Sequence, residues 1–356
     1  NWVYGRKNLK LHFHSLILYI LVTQTFTSQR TPTVAMIGAG SWATALIKIL
    51  TESTIKVHWW LRNQSALAHI EAYRHNPNYL SDVAIHPEKV MLFNDIREAV
   101  KNADYVIIAI PAAFVQEALA PLQAEDLANK VLVSAVKGVV PEKNWLITEL
   151  LEQEYEVLPE NMAVIAGPCH AEEVALEKQS YLTIASENAA HATHFSDLLS
   201  NRYIKATPSQ DVFGVEYVAI MKNIIALACG IAHGLNYGDN FQAVLVSNAM
   251  QEIKRFVETA YPQERDLNAS AYLGDLLVTA YSQFSRNRTF GNMIGRGYTV
   301  KSAQVEMNMI AEGYYAVKSI YEINQQFQVD MPITSAVYKM LYQKANPAQE
   351  VGRLRG

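Results

Sequence analysis

A few short segments place reactive or ligand-holding residue types beside apolar runs. The first is Gly38-Ala39-Gly40-Ser41-Trp42-Ala43, which follows the apolar run Thr33–Ile37 and leads into the helical pattern Thr44–Leu50. This is GxGxxA in the setting that its chemistry requires, with a strand before and a helix after. Gly38 permits the tight turn, Gly40 lets a pyrophosphate approach the backbone, and Ala43 keeps helix and strand close. A helix N-terminus there favours an anion. Without a ligand, the same motif is simply a tight strand-to-helix turn. The second run, Ile55–Leu61, ends in Arg62-Asn63 rather than in an acid. An arginine there suits the 2′-phosphate of NADP, or is a solvated surface residue.

Two lysines stand in apolar company. Lys222 and Asn223 are the only polar side chains between Tyr217 and Gly230. A lysine so flanked is either buried with a partner, its pKa lowered toward neutrality as suits a general acid/base, or set on an exposed stripe. Lys137 follows the apolar run Val131–Val136 and precedes Gly138. That is the carboxyl end of a strand, where doubly wound folds bind ligands, although a plain loop lysine fits equally. Gly167-Pro168-Cys169-His170 follows Met162–Ala166 and can offer backbone amides to a ligand. Cys169 reads as a small neutral residue, since no activating partner is evident. His170 is either catalytic or part of the turn. Ser285-Arg286-Asn287-Arg288 suits bidentate binding of an oxyanion or is an exposed helix cap. Gly274-Asp275 supplies a turn and a carboxylate able to orient a lysine.

The elements that must position these residues follow two patterns. Between Thr33 and about Ser209, short apolar runs alternate with helical stretches: Thr33–Ile37, Ile55–Leu61, Tyr105–Ile110, Val131–Val136, Met162–Ala166, Tyr181–Ile184 and Tyr203–Ala206. Continuous apolar runs of this kind are parallel strands buried on both faces. The expected fold class is α/β, with an N-terminal Rossmann-type doubly wound sheet and an all-α C-terminal domain. Helices are expected at Val215–Ala232, Asn240–Ala260, Leu276–Phe284, Ala311–Gln326 and Ile333–Tyr342. The division reads as a leader at 1–30, expected to be disordered, a dinucleotide-binding domain at 31–208 and a helical substrate domain at 209–356.

Composition narrows the function classes. Half of the 356 residues are hydrophobic and 18% are charged, so a large core forms and global disorder is excluded. Thirty Lys+Arg stand against 34 Asp+Glu, a net charge of −4, which argues against a nucleic-acid binder. The two cysteines, Cys169 and Cys229, fit neither a disulfide framework nor a metal spacing, so no metal is expected and a reducing compartment fits best. Residues 1–30 contain Arg6, Lys7, Lys10, Arg30 and no acid. Removing those four leaves 26 basic against 34 acidic residues, or −8, on the rest. The leader's apolar run Leu16–Val22 is too short to span a bilayer and lacks a good cleavage site, so neither stable membrane insertion nor secretion is expected.

Taken together, the motifs resemble NAD(P)-dependent glycerol-3-phosphate dehydrogenase of the bacterial soluble type. The resemblance runs from about Thr33 to about Gly352. It rests on GAGSWATAL (38–46), VIIAIPAAFV (106–115), SAVKGV (134–139), IAGPCHAEEVA (165–175), MKNIIALACGIAHGLNYGDN (221–240), LGDLLVT (273–279), SRNRTFG (285–291), AEG (311–313) and MPIT (331–334). It implies reversible reduction of dihydroxyacetone phosphate to sn-glycerol 3-phosphate with NAD(H) or NADP(H), in the cytoplasm, supplying the glycerophospholipid backbone. By position it implies that Lys222 transfers the proton, that Lys137 contacts both substrate and cofactor, and that Asp275 assists. It likewise implies substrate contacts at Gly167, Cys169, Ser285, Arg286 and Asn287. Cofactor contacts are implied at Gly38, Gly40, Ser41, Trp42, Ala43, Arg62, Pro111, Phe114, Ala171, Ile310 and Glu312, with Lys137 and Arg286 shared. The chain departs from the family pattern at Ala43, at Cys169 in place of Ser or Thr, and at Asn248, where an arginine is frequent. A homodimer is compatible with the helical part. The alternatives are a 3-hydroxyacid or 6-phosphogluconate type of dehydrogenase, and a nucleotide-binding homologue without turnover.

Overall fold

The computed structural model describes residues 31–53, 55–307 and 311–355. The leader 1–30 and Ile310 lie outside the described residues. Eight strands form one sheet: β1 (Thr33–Ile37), β2 (Lys56–Trp60), β3 (Val90–Phe93), β4 (Tyr105–Ile108), β5 (Val131–Ser134), β6 (Met162–Ala166), β7 (Ser180–Ala185) and β8 (Ile204–Ser209). Their spatial order is β3-β2-β1-β4-β5-β6-β7-β8. Side chains alternate across the sheet, as a period of two demands. Val34 and Met36 of β1 join one apolar core with Tyr105 and Ile107 of β4. Ala35 and Ile37 join the core on the other face with Val106 and Ile108. These strands are buried on both sides, which is why they read as unbroken apolar runs.

Two features differ from the sequence expectation. β3 was not expected: Val90-Met91-Leu92-Phe93 is a four-residue edge strand with only Val90 fully buried, so its apolar signal is short. β7 runs antiparallel to β6, while every other pairing is parallel. Strand composition carries no direction, so this reversal is invisible to periodicity.

The helices that bear on the site are α1 (Ser41–Glu52), α2 (Gln64–Tyr73), α3 (Val115–Leu119), α4 (Ile147–Tyr155) and α5 (Ala171–Ala175) around the sheet. They continue with α6 (Val212–Gly234), α7 (Asp239–Ala260), α8 (Asp275–Tyr281), α9 (Arg286–Gly295), α10 (Glu312–Phe327) and α11 (Pro332–Tyr342) after it. The helix α6 has the length and hydropathy to cross a membrane, yet 94% of its most apolar window is buried. It is the central rod of a third apolar core, packed by Leu245 and Phe256 of α7, Leu276 of α8, Phe290 of α9 and Val317 of α10.

The helix α9 was read only as a candidate cap or anion site. Its sequence RNRTFGNMIG is polar, with two glycines, and has low intrinsic helix propensity. Tertiary packing overrides that preference. A Cβ on Gly291 would lie 2.2 Å from the Leu227 carbonyl oxygen, and one on Gly230 would lie 2.1 Å from that of Arg288. Gly234 and Gly295 make the same backbone-to-backbone approach. The four glycines let α9 lie directly on α6, the helix that carries Lys222.

Candidate active site

The site starts at the switch in strand order, where β1 pairs with β2 on one side and β4 on the other. Crevices at such points, beyond the carboxyl ends of the strands, are where doubly wound sheets bind ligands. Gly38 sits there at φ +131°, and a Cβ would meet the Ala109 carbonyl oxygen at 2.3 Å. Only glycine fits that backbone and that approach. Gly40 is the N-cap of α1 and brings no side chain to cap it. A Cβ there would meet nothing within 4 Å, so the space beside that turn is open. Asn76 holds the turn from behind, donating to the Ala39 carbonyl (3.0 Å) and to Thr44 Oγ1 (2.9 Å).

This turn opens on a cavity of about 570 Å³ that runs from Arg62 and Phe114 past Trp42 and Lys137 to Lys222, Asp275 and Arg286. Lys222 is 2% exposed and its Nζ lies against Oδ1 of Asp275, itself 1% exposed. The other carboxylate oxygen, Oδ2, accepts from the Gly167 amide at 3.2 Å. One carboxylate thus joins the turn after β6 to the lysine of α6. Asp275 is set in place by the π-helical turn Ser270–Gly274, where Tyr272 donates to Asp211 Oδ2 (2.6 Å). Arg265 donates to both oxygens of Asp211, which fixes that loop to the start of α6.

Burial drives the Lys222 ammonium down to about 7, and neighbouring Lys137 adds to the fall while Asp275 opposes it. Lys137 lies with Nζ 5.3 Å from the centre of the Trp42 ring. A short relay locks the surrounding backbone. Asn223 donates to the Lys137 carbonyl (3.1 Å), Asn287 donates to Asn223 Oδ1 (2.9 Å), and the Gly313 amide donates to Asn287 Oδ1 (2.9 Å). Three helices and the loop after β5 are held by that chain. The Asn223 and Asn287 amides are buried, so each missing bond would strand a polar group.

Comparison with known proteins bears directly on this geometry. Residues 33–192 match the profile of the NAD-dependent glycerol-3-phosphate dehydrogenase N-terminus, and residues 211–352 match that of its C-terminus. Glycerol-3-phosphate dehydrogenase [NAD(P)+] of Bacillus velezensis is 35% identical over 320 residues, covering 89% of this chain and 92% of that one. The Bacillus subtilis enzyme of the same name is 34% identical, covering 91% and 94%. The chain belongs to the glycerol-3-phosphate dehydrogenase family. A crystal structure of the Coxiella burnetii glycerol-3-phosphate dehydrogenase superposes with a TM-score of 0.85 at 29% identity, over 91% of this chain and 98% of that one. D-mandelate dehydrogenase, at 14% identity and a TM-score of 0.57, shares the fold alone.

Most of the residues singled out from sequence meet at this family cavity. Gly38, Gly40, Ser41, Trp42, Arg62, Pro111, Phe114, Lys137, Cys169, Ala171, Lys222, Asp275, Ser285, Arg286, Asn287 and Glu312 all line it. Ala43 is fully buried behind the turn, and Gly167 acts from behind through Asp275. The reading of Lys222 as an exposed stripe lysine is wrong, because every residue of α6 from Gly214 to Ala232 is buried. Burial pushes the Cys169 thiol up to about 12, so it stays neutral beside the ligand space. Burial and the two lysines push His170 down to about 4, leaving a neutral imidazole on the cavity wall. Burial raises Glu312, and Arg286, Lys137 and Lys222 counteract the rise.

Two sequence inferences do not reach the cavity. Arg288, expected to add local positive charge, does not line it; its carbonyl packs against Gly230. Asn248 is exposed on α7 and does not line the cavity. The relay residue Asn223 and the turn-holding Asn76 were not assigned roles from sequence. Asn223 adjoins Lys222, which is a usable signal. Asn76 lies in His75-Asn76-Pro77, which signals a turn but not its target.

Proposed function

We propose that this chain catalyses the reversible NAD(P)H-dependent reduction of dihydroxyacetone phosphate to sn-glycerol 3-phosphate. The observation that carries the reading is the buried Lys222–Asp275 pair opening on the cavity shared with the glycine turn. The bare N-terminus of α1 and the Cβ-free face of Gly40 fit a dinucleotide pyrophosphate. Residues 31–208 hold the dinucleotide, through Gly38, Gly40, Ser41, Trp42, Arg62, Pro111, Phe114 and Ala171. Glu312 closes the space from α10. When bound there, a reduced nicotinamide would supply the hydride for the substrate carbonyl carbon.

Lys222 gives its proton to the alkoxide oxygen that develops on the substrate. An ammonium with a pKa near 7 is matched to that transfer at neutral pH. Asp275 aims the ammonium and is itself aimed by the Gly167 amide. Lys137 adds positive charge where the oxygen becomes anionic. Arg286 and Asn287, at the N-terminus of α9, bind the substrate phosphate, and the helix start favours the same anion. Binding the remote phosphate orients the carbonyl, so its energy is used at the reacting carbon. The product serves as the glycerophospholipid backbone, and the place of action is the cytoplasm.

Initial rates with dihydroxyacetone phosphate and either reduced cofactor test this. The expected result is substrate-dependent oxidation of the cofactor. Oxidation of hydroxyacids or 6-phosphogluconate, with none of glycerol 3-phosphate, would overturn it. Tight dinucleotide binding without turnover would identify a non-catalytic homologue.

A further inference from the structure

We propose that Glu117 sets the balance between NADPH and NADH by competing with the 2′-phosphate for Arg62. The inference rests on the reading that the cavity holds a dinucleotide, and extends it to a residue outside the cavity lining. Arg62 follows β2, the strand beside the glycine turn, and lines the cavity. Its Nη1 donates to Glu117 Oε1 at 3.1 Å, and its guanidinium carbon stands 5.9 Å from the centre of the Phe114 ring. Glu117 reaches it from α3, on the far wall of the opening.

The other groups near the end of β2 are already committed. The Asn63 side chain accepts from the Ser65 amide, the Ser65 hydroxyl and the Ala66 amide, which caps α2. No acid ends β2, so nothing on that strand accepts from a 2′-hydroxyl. The remaining cations on the cavity wall, Lys137, Lys222 and Arg286, act together on Glu312 at the other end. Arg62 is therefore the cation, among the described lining residues, that stands beside β2 for a 2′-phosphate.

The side chains of Arg62 and Glu117 are 65% and 68% exposed. A pair so open to solvent is weakly held, so an incoming dianion displaces it readily. The displaced carboxylate then remains within a few ångströms of that dianion and repels it. NADH brings no charge to this point and meets no such opposition. Glu117 thus penalises NADP(H) selectively, which keeps both cofactors in use.

The test compares the wild-type chain with Glu117→Gln and Glu117→Lys, measuring kcat and KM for NADPH and NADH and equilibrium binding of NADP+ and NAD+. The NADPH:NADH preference should rise about three- to fivefold in Glu117→Gln, and further in Glu117→Lys. The change should sit in KM for NADPH rather than in kcat, and should shrink between about 0.05 M and 0.5 M salt. In an Arg62→Ala background, where the competition for the guanidinium is gone and only direct repulsion is left, Glu117→Gln should raise the ratio by clearly less than in the wild type. An unchanged ratio in both single variants, or the same gain without Arg62, overturns the proposal. The binding ratio decides it independently of turnover. Failure of the wild type to oxidise either cofactor with dihydroxyacetone phosphate instead overturns the functional reading.

Discussion

Lys222 was legible as a special residue because no other lysine sits within so long an apolar run, but sequence left its burial open. The structure removes the choice: α6 has no exposed stripe around that position, and Asp275 meets the ammonium. A substitution at Lys222 removes the proposed proton donor and leaves Asp275 buried without its partner. Lys222→Ala should lower kcat by about two to four orders of magnitude, the usual scale for general acid catalysis, with dinucleotide affinity retained. Near-normal turnover would remove Lys222 from the chemistry. The pH dependence follows with a definite sign. The ammonium must be protonated to reduce the ketone and unprotonated to accept a proton in the reverse direction. With its pKa lowered to about 7, the reductive kcat/KM should fall as pH rises above about 7, while the oxidative rate rises over the same range. Matching slopes in the two directions would point to a different titrating group. Asp275 was legible as a carboxylate able to orient a lysine, but not as the partner of the Gly167 amide. The Gly167 amide that orients it comes from the turn after β6, 108 residues away in sequence, and no local pattern announces such a pairing.

At the scale of elements, the parallel strands that build the crevice were legible, because strands buried on both faces must be apolar throughout. What could not be read was whatever depends on a neighbour. The edge strand β3 buries too little, and β7 takes its direction from pairing rather than composition. The helix α9 is the informative failure. It was not among the helices expected from the sequence, yet its glycines are what permits its contact with α6, and that contact sets Arg286 and Asn287 beside Lys222 and Asn223. Gly291→Ala tests the argument. The new Cβ would fall 2.2 Å from a backbone carbonyl, which cannot rotate away, so α9 must shift outward. Overpacking of this kind costs about 1–3 kcal/mol, measurable by denaturant unfolding. The shift also pulls on the Asn287–Asn223 bond, so KM for dihydroxyacetone phosphate should rise several-fold while KM for the dinucleotide changes little. Gly352→Ala, in the terminal helix Pro347–Arg353 with nothing within 4 Å of the added Cβ, is the matched control and should leave KM unchanged and stability equal or slightly raised. Equal effects of the two substitutions would show that helix propensity, not close approach, matters at Gly291.

For the whole molecule, the decisive fact is that one cavity takes its walls from both the sheet and the helical half. The chain carries a net −4, yet the proposed ligands are both anions. Lys137, Lys222 and Arg286 gather positive charge from the loop after β5, from α6 and from α9 onto one space. Each half alone holds an incomplete set, so ligand affinity and the docking of the halves are thermodynamically linked. Neither the relay through Asn223 and Asn287 nor the Gly167–Asp275 bond survives separation of the elements that they join. A ligand that binds only the joined state stabilises it by about 2.7 kcal/mol at a hundred times its dissociation constant. Saturating NADP+ together with sn-glycerol 3-phosphate should therefore move the whole unfolding curve to higher denaturant as one transition. Fluorescence of Trp42 and Trp59, in and beside the glycine turn, should report the same shift as far-ultraviolet dichroism dominated by the helices. If only the tryptophan signal moved while the helical signal kept its unliganded midpoint, the ligands would be held by the sheet half alone, and the assignment of Lys222 and Arg286 to the substrate would fail.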